Sequence, residues 1–211
     1  MAHRDFTDGD EPQSPDRVSS GNDLRQTAVT ESEEISVLRL VSNRLEEAAI
    51  AYMVSGSLAM SYYAEPRMTR DIDIVIELGA GGAKRIAALF SDHFHCDVDV
   101  ILEAVRRRTM FNLIHTQLVV KVDFIVRQDS PYRQTEFERR RRAQLAGFQI
   151  WIVRPEDLVL SKLVWAKPSH SELQLADVRN LVASVPGLDW PYIDTWASEL
   201  DVMDLLGEVR G

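Results

Sequence analysis

Two aspartates one residue apart, Asp71 and Asp73, begin the run Asp71-Ile72-Asp73-Ile74-Val75-Ile76. Side chains alternate along a strand, so both carboxylates project from one face and Ile72, Ile74 and Ile76 from the other. Strand geometry sets the two charges about 7 Å apart. Like charges that close are costly without something positive between them, and a divalent cation with oxygen ligands meets that need. Upstream, with thirteen residues between Ser57 and Asp71, Gly56-Ser57 stands at the expected start of a helix. Glycine lets backbone amides approach a phosphate, and the helix N-terminus adds a favourable dipole and the Ser57 hydroxyl. A third acid, Asp123, interrupts the apolar strand pattern Leu118–Val126. There Val120, Val122, Phe124 and Val126 face one way, and Val119, Lys121, Asp123 and Ile125 the other. Metal ions held by these acids could activate a nucleophile and neutralise a leaving pyrophosphate, in a two-metal arrangement with ions about 3.5–4 Å apart.

The elements that must position these residues are legible as periodicities. Ile35, Leu38, Val41, Leu45 and Ala48 recur at helical spacing and predict an amphipathic helix from Ile35. A short apolar strand, Ala51–Val54, leads into the Gly56-Ser57 turn and a helix over Leu58–Tyr63 that Pro66 helps to end. The Asp71–Glu77 strand closes on Gly79, Gly81 and Gly82, a flexible turn rather than a nucleotide fingerprint, before a helix over Ala83–Phe90. Short strands and a helix from about Val100 to Arg107 fill residues 95–126. Pro131–Leu145 is expected to be a basic helix carrying Arg139 to Arg142. A strand at Phe148–Val153 precedes a helix that opens on Pro155, with Glu156 and Asp157 complementing its dipole. Further helices are expected to about Ser184, around Tyr192–Leu200 and over Val202–Val209. The expected class is α+β (α/β), a mixed sheet flanked by helices over residues 35–154 with a helical C-terminal subdomain over residues 155–211.

Composition bounds the remainder. Residues 1–34 carry nine Asp or Glu against three Arg, and so hold six of the nine net negative charges. Almost without large apolar side chains, that stretch is expected to be a disordered acidic tail. The single cysteine, Cys96, excludes an internal disulfide framework and fits a reducing cytoplasm. No stretch approaches the roughly 18 apolar residues of a membrane span, so a cytoplasmic protein is expected.

Other clusters offer weaker chemistry. Asp92-His93-Phe94-His95-Cys96-Asp97-Val98-Asp99 packs soft ligands and a second acid pair into eight residues, without a second ligand pair at a zinc spacing, so a surface or structural reading is preferred. Arg106 to Arg108 and Arg139 to Arg142 could contact RNA phosphates, although such runs are more often solvated. Trp151, Trp165, Trp190 and Trp196 sit in apolar contexts and are expected to pack inside. Arg67 and Arg70 are either anion contacts or solvated loop charges.

Taken together, Val54-Ser55-Gly56-Ser57, Asp71-Ile72-Asp73-Ile74 and Val122-Asp123-Phe124 resemble the signature of the nucleotidyltransferase superfamily with the DNA polymerase beta-like fold. The Arg-x-Thr-x-Asp-Ile-Asp run at Arg67 to Asp73, Pro-Glu-Asp-Leu at Pro155 to Leu158, Lys162 and Asp177 resemble its bacterial branch of abortive-infection and toxin–antitoxin nucleotidyltransferases. The resemblance spans about residues 37–184. It implies a nucleoside monophosphate moved from an NTP, such as ATP, to an acceptor hydroxyl on tRNA, protein or a small molecule. Asp71, Asp73 and Asp123 would hold two Mg²⁺ ions, with Mn²⁺ as the substitute, and Asp123 would orient or deprotonate the acceptor. Gly56 and Ser57 would grip the β and γ phosphates, Lys162 would touch the triphosphate, and Asp177 would position Lys162 or the acceptor. On chemistry alone, Lys162 could instead be an ordinary snorkelling lysine at a helix edge, the lesser of the two readings. The branch also implies a cognate antitoxin protein as partner. The competing function is a non-catalytic regulatory or toxin–antitoxin module that keeps the fold.

Overall fold

The computed structural model describes residues 32–65, 70–79 and 81–210. The expected tail up to residue 31, together with Pro66 and Arg67, lies outside the described residues. The chain runs α1 (Glu33–Glu47), β1 (Tyr52–Val54), α2 (Gly56–Tyr63), β2 (Asp71–Ile76), α3 (Gly82–Phe90), β3 (Phe94–His95), α4 (Val98–Arg107), β4 (Met110–His115) and β5 (Lys121–Val126). It continues through α5 (Pro131–Glu138), β6 (Arg141–Leu145), β7 (Phe148–Ile152), α6 (Pro155–Ala166), α7 (Glu172–Ser184), α8 (Trp190–Glu199) and α9 (Met203–Arg210). Helix α1 starts two residues earlier than its apolar stripe suggests, because Ser32 caps it by accepting from the Ile35 amide.

Among the described residues the strands form one mixed sheet in the order β3-β4-β5-β2-β1-β7-β6. Strand β2 pairs parallel with β5 and antiparallel with β1, and β4 runs antiparallel to β5. One face of this sheet is core. Ile72, Ile74, Ile76, Val122, Phe124 and Val126 are fully buried there, and Phe124 packs on Phe111 and on Phe90 of α3. Helix α2 packs on β2 and touches α6 and α7, while α6 holds α7 and α8, and α7 holds α9. The C-terminal helices thus belong to the same compact unit as the sheet.

One expected helix is wrong in its second half. Helix α5 stops at Glu138, and Arg141–Leu145 is a strand paired antiparallel with β7. The hairpin turns on Ala146 and Gly147, both at positive φ, the two-residue geometry that matches strand twist. A run of arginines has good helix propensity, yet here the turn and the pairing partner override it. Strand pairing also scatters the four guanidinium groups. Arg139 binds Asp157, Arg140 stacks over Phe137 and Trp151, Arg141 donates to the Tyr63 hydroxyl, and Arg142 pairs with Glu46. They do not form one basic face.

Candidate active site

Register brings the acids together. Asp73 lies beside Asp123 on the paired strand, and Asp71 lies beside Lys121. Through β4 the same face carries three rows across three strands: Asp71, Lys121 and Ile114; Asp73, Asp123 and Asn112; Val75, Ile125 and Met110. Chemistry therefore grades along the strands from charged to apolar.

Gly56 opens α2 directly against Asp73. Its φ is +60°, and a Cβ placed there would stand 2.5 Å from Asp73 Cγ and overlap the carboxylate. The Ser57 amide donates to the Asp73 carboxylate, and the Ser55 amide donates to the Asp73 carbonyl at 2.9 Å. Burial pushes the Asp73 pKa up, and the charges of Asp123 and Asp71 add to this, while the Ser57 amide and Lys162 oppose it. Two carboxylates side by side on neighbouring strands, one of them largely buried, carry a charge excess that invites a cation.

The cation already at hand is Lys121. Its ammonium lies 2.8 Å from Asp123 Oδ2 and 3.5 Å from Asp71 Oδ1, and the contact with Asp123 holds its pKa up. Asp123 is 6% exposed, and its other oxygen, Oδ1, is buried without a hydrogen-bond partner. An orphaned carboxylate oxygen beside two further acids is an all-oxygen donor set suited to Mg²⁺ or Mn²⁺. As the side chains stand, no group of three His, Cys, Asp or Glu among the described residues is drawn close enough to hold an ion. Lys121 spans Asp71 and Asp123 instead.

A cleft of about 330 Å³ joins this row to the helices above it. Ser55, Gly56, Ser57, Asp73 and Asp123 line its floor, and Leu158, Ser161, Lys162 and Trp165 its roof, the inward positions of α6 at helical spacing. Lys162 does not snorkel. At 4% exposure it donates to Asp177 Oδ2 at 2.7 Å and to Gln174 Oε1 at 3.3 Å, both on α7. Buried cations persist only when paired, so Asp177 fixes the ammonium at the cleft wall. Asp71, exposed at the start of β2, is not among the residues that line this cleft.

Several cleft residues escape motif reading. Trp165, expected inside, is 59% exposed at the cleft. With Val75, Ile125 and Met110 it makes an apolar wall beyond Asp123. Glu136, buried on α5, accepts from Ser161 and from Arg133, and all three line the same space. Strand alternation places Lys121 on the face of Asp123, whereas its reach to Asp71 depends on the β2–β5 register. Elsewhere Asp92 is held bidentately by Arg44, Asp97 caps α4, and His93 stacks on His115. Arg106 and Arg107 pair with Glu103, and Arg108 with Asp129.

No protein-family model and no curated protein matches the sequence. The fold does have solved relatives. The chain is similar to an antigenic nucleotidyltransferase-like protein from Paracoccidioides brasiliensis, with a TM-score of 0.52 and 17% identity over 83% of this chain and 91% of the other. It is similar also to the antibiotic-resistance factor ANT(2'')-Ia, with a TM-score of 0.51 and 12% identity over 82% of this chain and 94% of the other. At these identities the likeness is one of fold. This chain has the nucleotidyltransferase-like α+β fold, with Asp71 and Asp73 on β2 and Asp123 on β5.

Proposed function

We propose that the chain is a metal-dependent nucleotidyltransferase, which moves a nucleoside monophosphate from an NTP to an acceptor hydroxyl and releases pyrophosphate. The observation that carries this reading is the in-register pair Asp73 and Asp123, with the Gly56 backbone pressed on one acid and Lys162 in the same cleft. Such a site has a place for each part of the reaction.

Asp71, Asp73 and Asp123 would hold the metal. Once bound, it supplies positive charge to phosphate oxygens and lowers the pKa of a coordinated hydroxyl. The Gly56-Ser57 end of α2 would receive the terminal phosphates on the Ser57 hydroxyl and on first-turn amides other than the Ser57 amide, which Asp73 holds. Lys162, fixed by Asp177, adds a cation on the opposite wall. Asp123 orients the acceptor hydroxyl and takes its proton. The hydroxyl oxygen bonds to the α-phosphorus as the bond from that phosphorus to the bridging oxygen breaks, and the electron pair leaves with pyrophosphate. Positioning and charge are what phosphoryl chemistry asks of a protein.

The apolar wall of Val75, Ile125, Met110 and Trp165 suits an uncharged, flat or aliphatic part of a substrate. Incubation with each labelled NTP, Mg²⁺ and a cell extract, followed by separation of RNA, protein and small molecules, identifies the acceptor class. Label transferred by the wild type and lost in Asp73→Asn and Asp123→Asn is the expected result. Equal turnover by wild type and both variants, or an absence of magnesium-dependent nucleotide binding at millimolar concentration, sinks this reading.

A further inference from the structure

We propose that Lys121 is an internal counter-ion: it keeps the acid cluster closed to a bare divalent cation and yields its place when the cation arrives with a nucleotide. This rests on the reading above that Asp71, Asp73 and Asp123 are the metal-holding acids.

The geometry supports it from several sides. Lys121 lies beside Asp71 through the β2–β5 register and shares a strand face with Asp123, so its ammonium meets acids on both strands. It engages Asp123 Oδ2 and leaves Oδ1 buried and unsatisfied, a deficit that a cation held by these acids would relieve. Lys162, the lysine that lines the cleft, cannot take this part, because Asp177 and Gln174 hold it from α7. Lys121 by contrast is 37% exposed, on a flexible four-carbon stem, and can swing without unpacking the sheet.

The electrostatics dictate an order of events. A bare cation must displace an ammonium already held by Asp123 and Asp71, and the loss of those contacts offsets part of what the cation gains. A nucleotide changes the balance, since its triphosphate offers the displaced ammonium a new anionic partner. Lys121 then yields only when a nucleotide accompanies the cation, and without nucleotide it holds the acids against stray ions. Lys121 is accordingly a positioning residue that acts through the acids.

Metal binding without nucleotide tests this directly. Mn²⁺ titrated by calorimetry and by electron paramagnetic resonance should bind Lys121→Met at least tenfold more tightly than wild type, about 1.4 kcal/mol. Lys121→Arg should stay within twofold of wild type, and Lys121→Met combined with Asp123→Asn should lose the gain. With a non-hydrolysable α,β-methylene NTP present, the difference between Lys121→Met and wild type should shrink to threefold or less. Equal or weaker Mn²⁺ binding by Lys121→Met overturns the counter-ion, and so does a gain that survives Asp123→Asn. A difference undiminished by nucleotide overturns the yielding step. Circular dichroism checks the fold, and Lys121→Gln carries the same comparison if Lys121→Met does not fold. The nucleotidyltransferase reading fails separately: Lys121→Met can gain Mn²⁺ affinity in a protein whose wild type transfers no label from any NTP.

Discussion

The Cα of Gly56 lies against the carboxylate of Asp73, so closely that no side chain fits between the start of α2 and the second acid of β2. The start of α2 and the second acid of β2 are thereby one packed unit. Gly56→Ala meets both the overlap and a φ of +60°, and either alone strains the backbone or displaces Asp73. We expect a loss of about 1–3 kcal/mol in stability and of at least a hundredfold in transfer. Gly147→Ala, at positive φ but with open space around it, serves as the control: it should lose some stability and no activity. Urea denaturation and single-turnover transfer measure the two effects.

Lys162 and Asp177 form a buried pair between α6 and α7. Removing one partner leaves an uncompensated charge inside, so Asp177→Asn and Lys162→Met should each cost about 3–5 kcal/mol. The double variant Lys162→Met with Asp177→Leu should recover most of that stability and none of the transfer. A double variant with wild-type activity would make the pair merely structural, and chemical denaturation beside an activity assay decides.

Trp165 is a large apolar side chain left open at the cleft. Trp165→Ala should change stability by no more than about 0.5 kcal/mol, as for other exposed positions. It should raise KM for one of the two substrates about five- to tenfold, near 1 kcal/mol of lost contact, with kcat close to wild type. Steady-state kinetics with each substrate varied in turn shows which one rests on the wall.

Asp157 is fully buried between Arg139 and Tyr192. Burial raises its pKa from the ordinary 3.8 to about 6, against the opposing hydrogen bonds from Tyr192 and Arg139. The folded chain therefore holds this proton more firmly than the unfolded chain. Its contribution is complete below the ordinary value and is lost as pH rises through about 6. Relative to Asp157→Asn, the wild type should lose on the order of 2 kcal/mol between pH 4 and pH 6.5. Urea midpoints at closely spaced pH values test the sign as well as the size.

The local signals for the site were strong because the chemistry constrains residue types at short range. Asp71 and Asp73 share a face by strand alternation, and Gly56-Ser57 opens a helix because glycine alone accepts that conformation against a neighbour. Lys162 and Asp177 are separated in sequence, and the family resemblance rather than any periodicity pointed to them. Where local propensity and tertiary pairing disagreed, at Arg141–Leu145, the pairing with β7 prevailed and redistributed four arginines that sequence reading had left together.

By itself the sequence determined which residues carry charge into the site and on which face of their own strands they lie, since alternation is a property of the covalent chain. Tertiary structure alone decided which strands are neighbours. Register set Asp73 beside Asp123 and Lys121 beside Asp71, and helix packing buried Lys162 on Asp177 while leaving Trp165 exposed. These are relations between distant segments, and they arise from burial and pairing that no local pattern encodes.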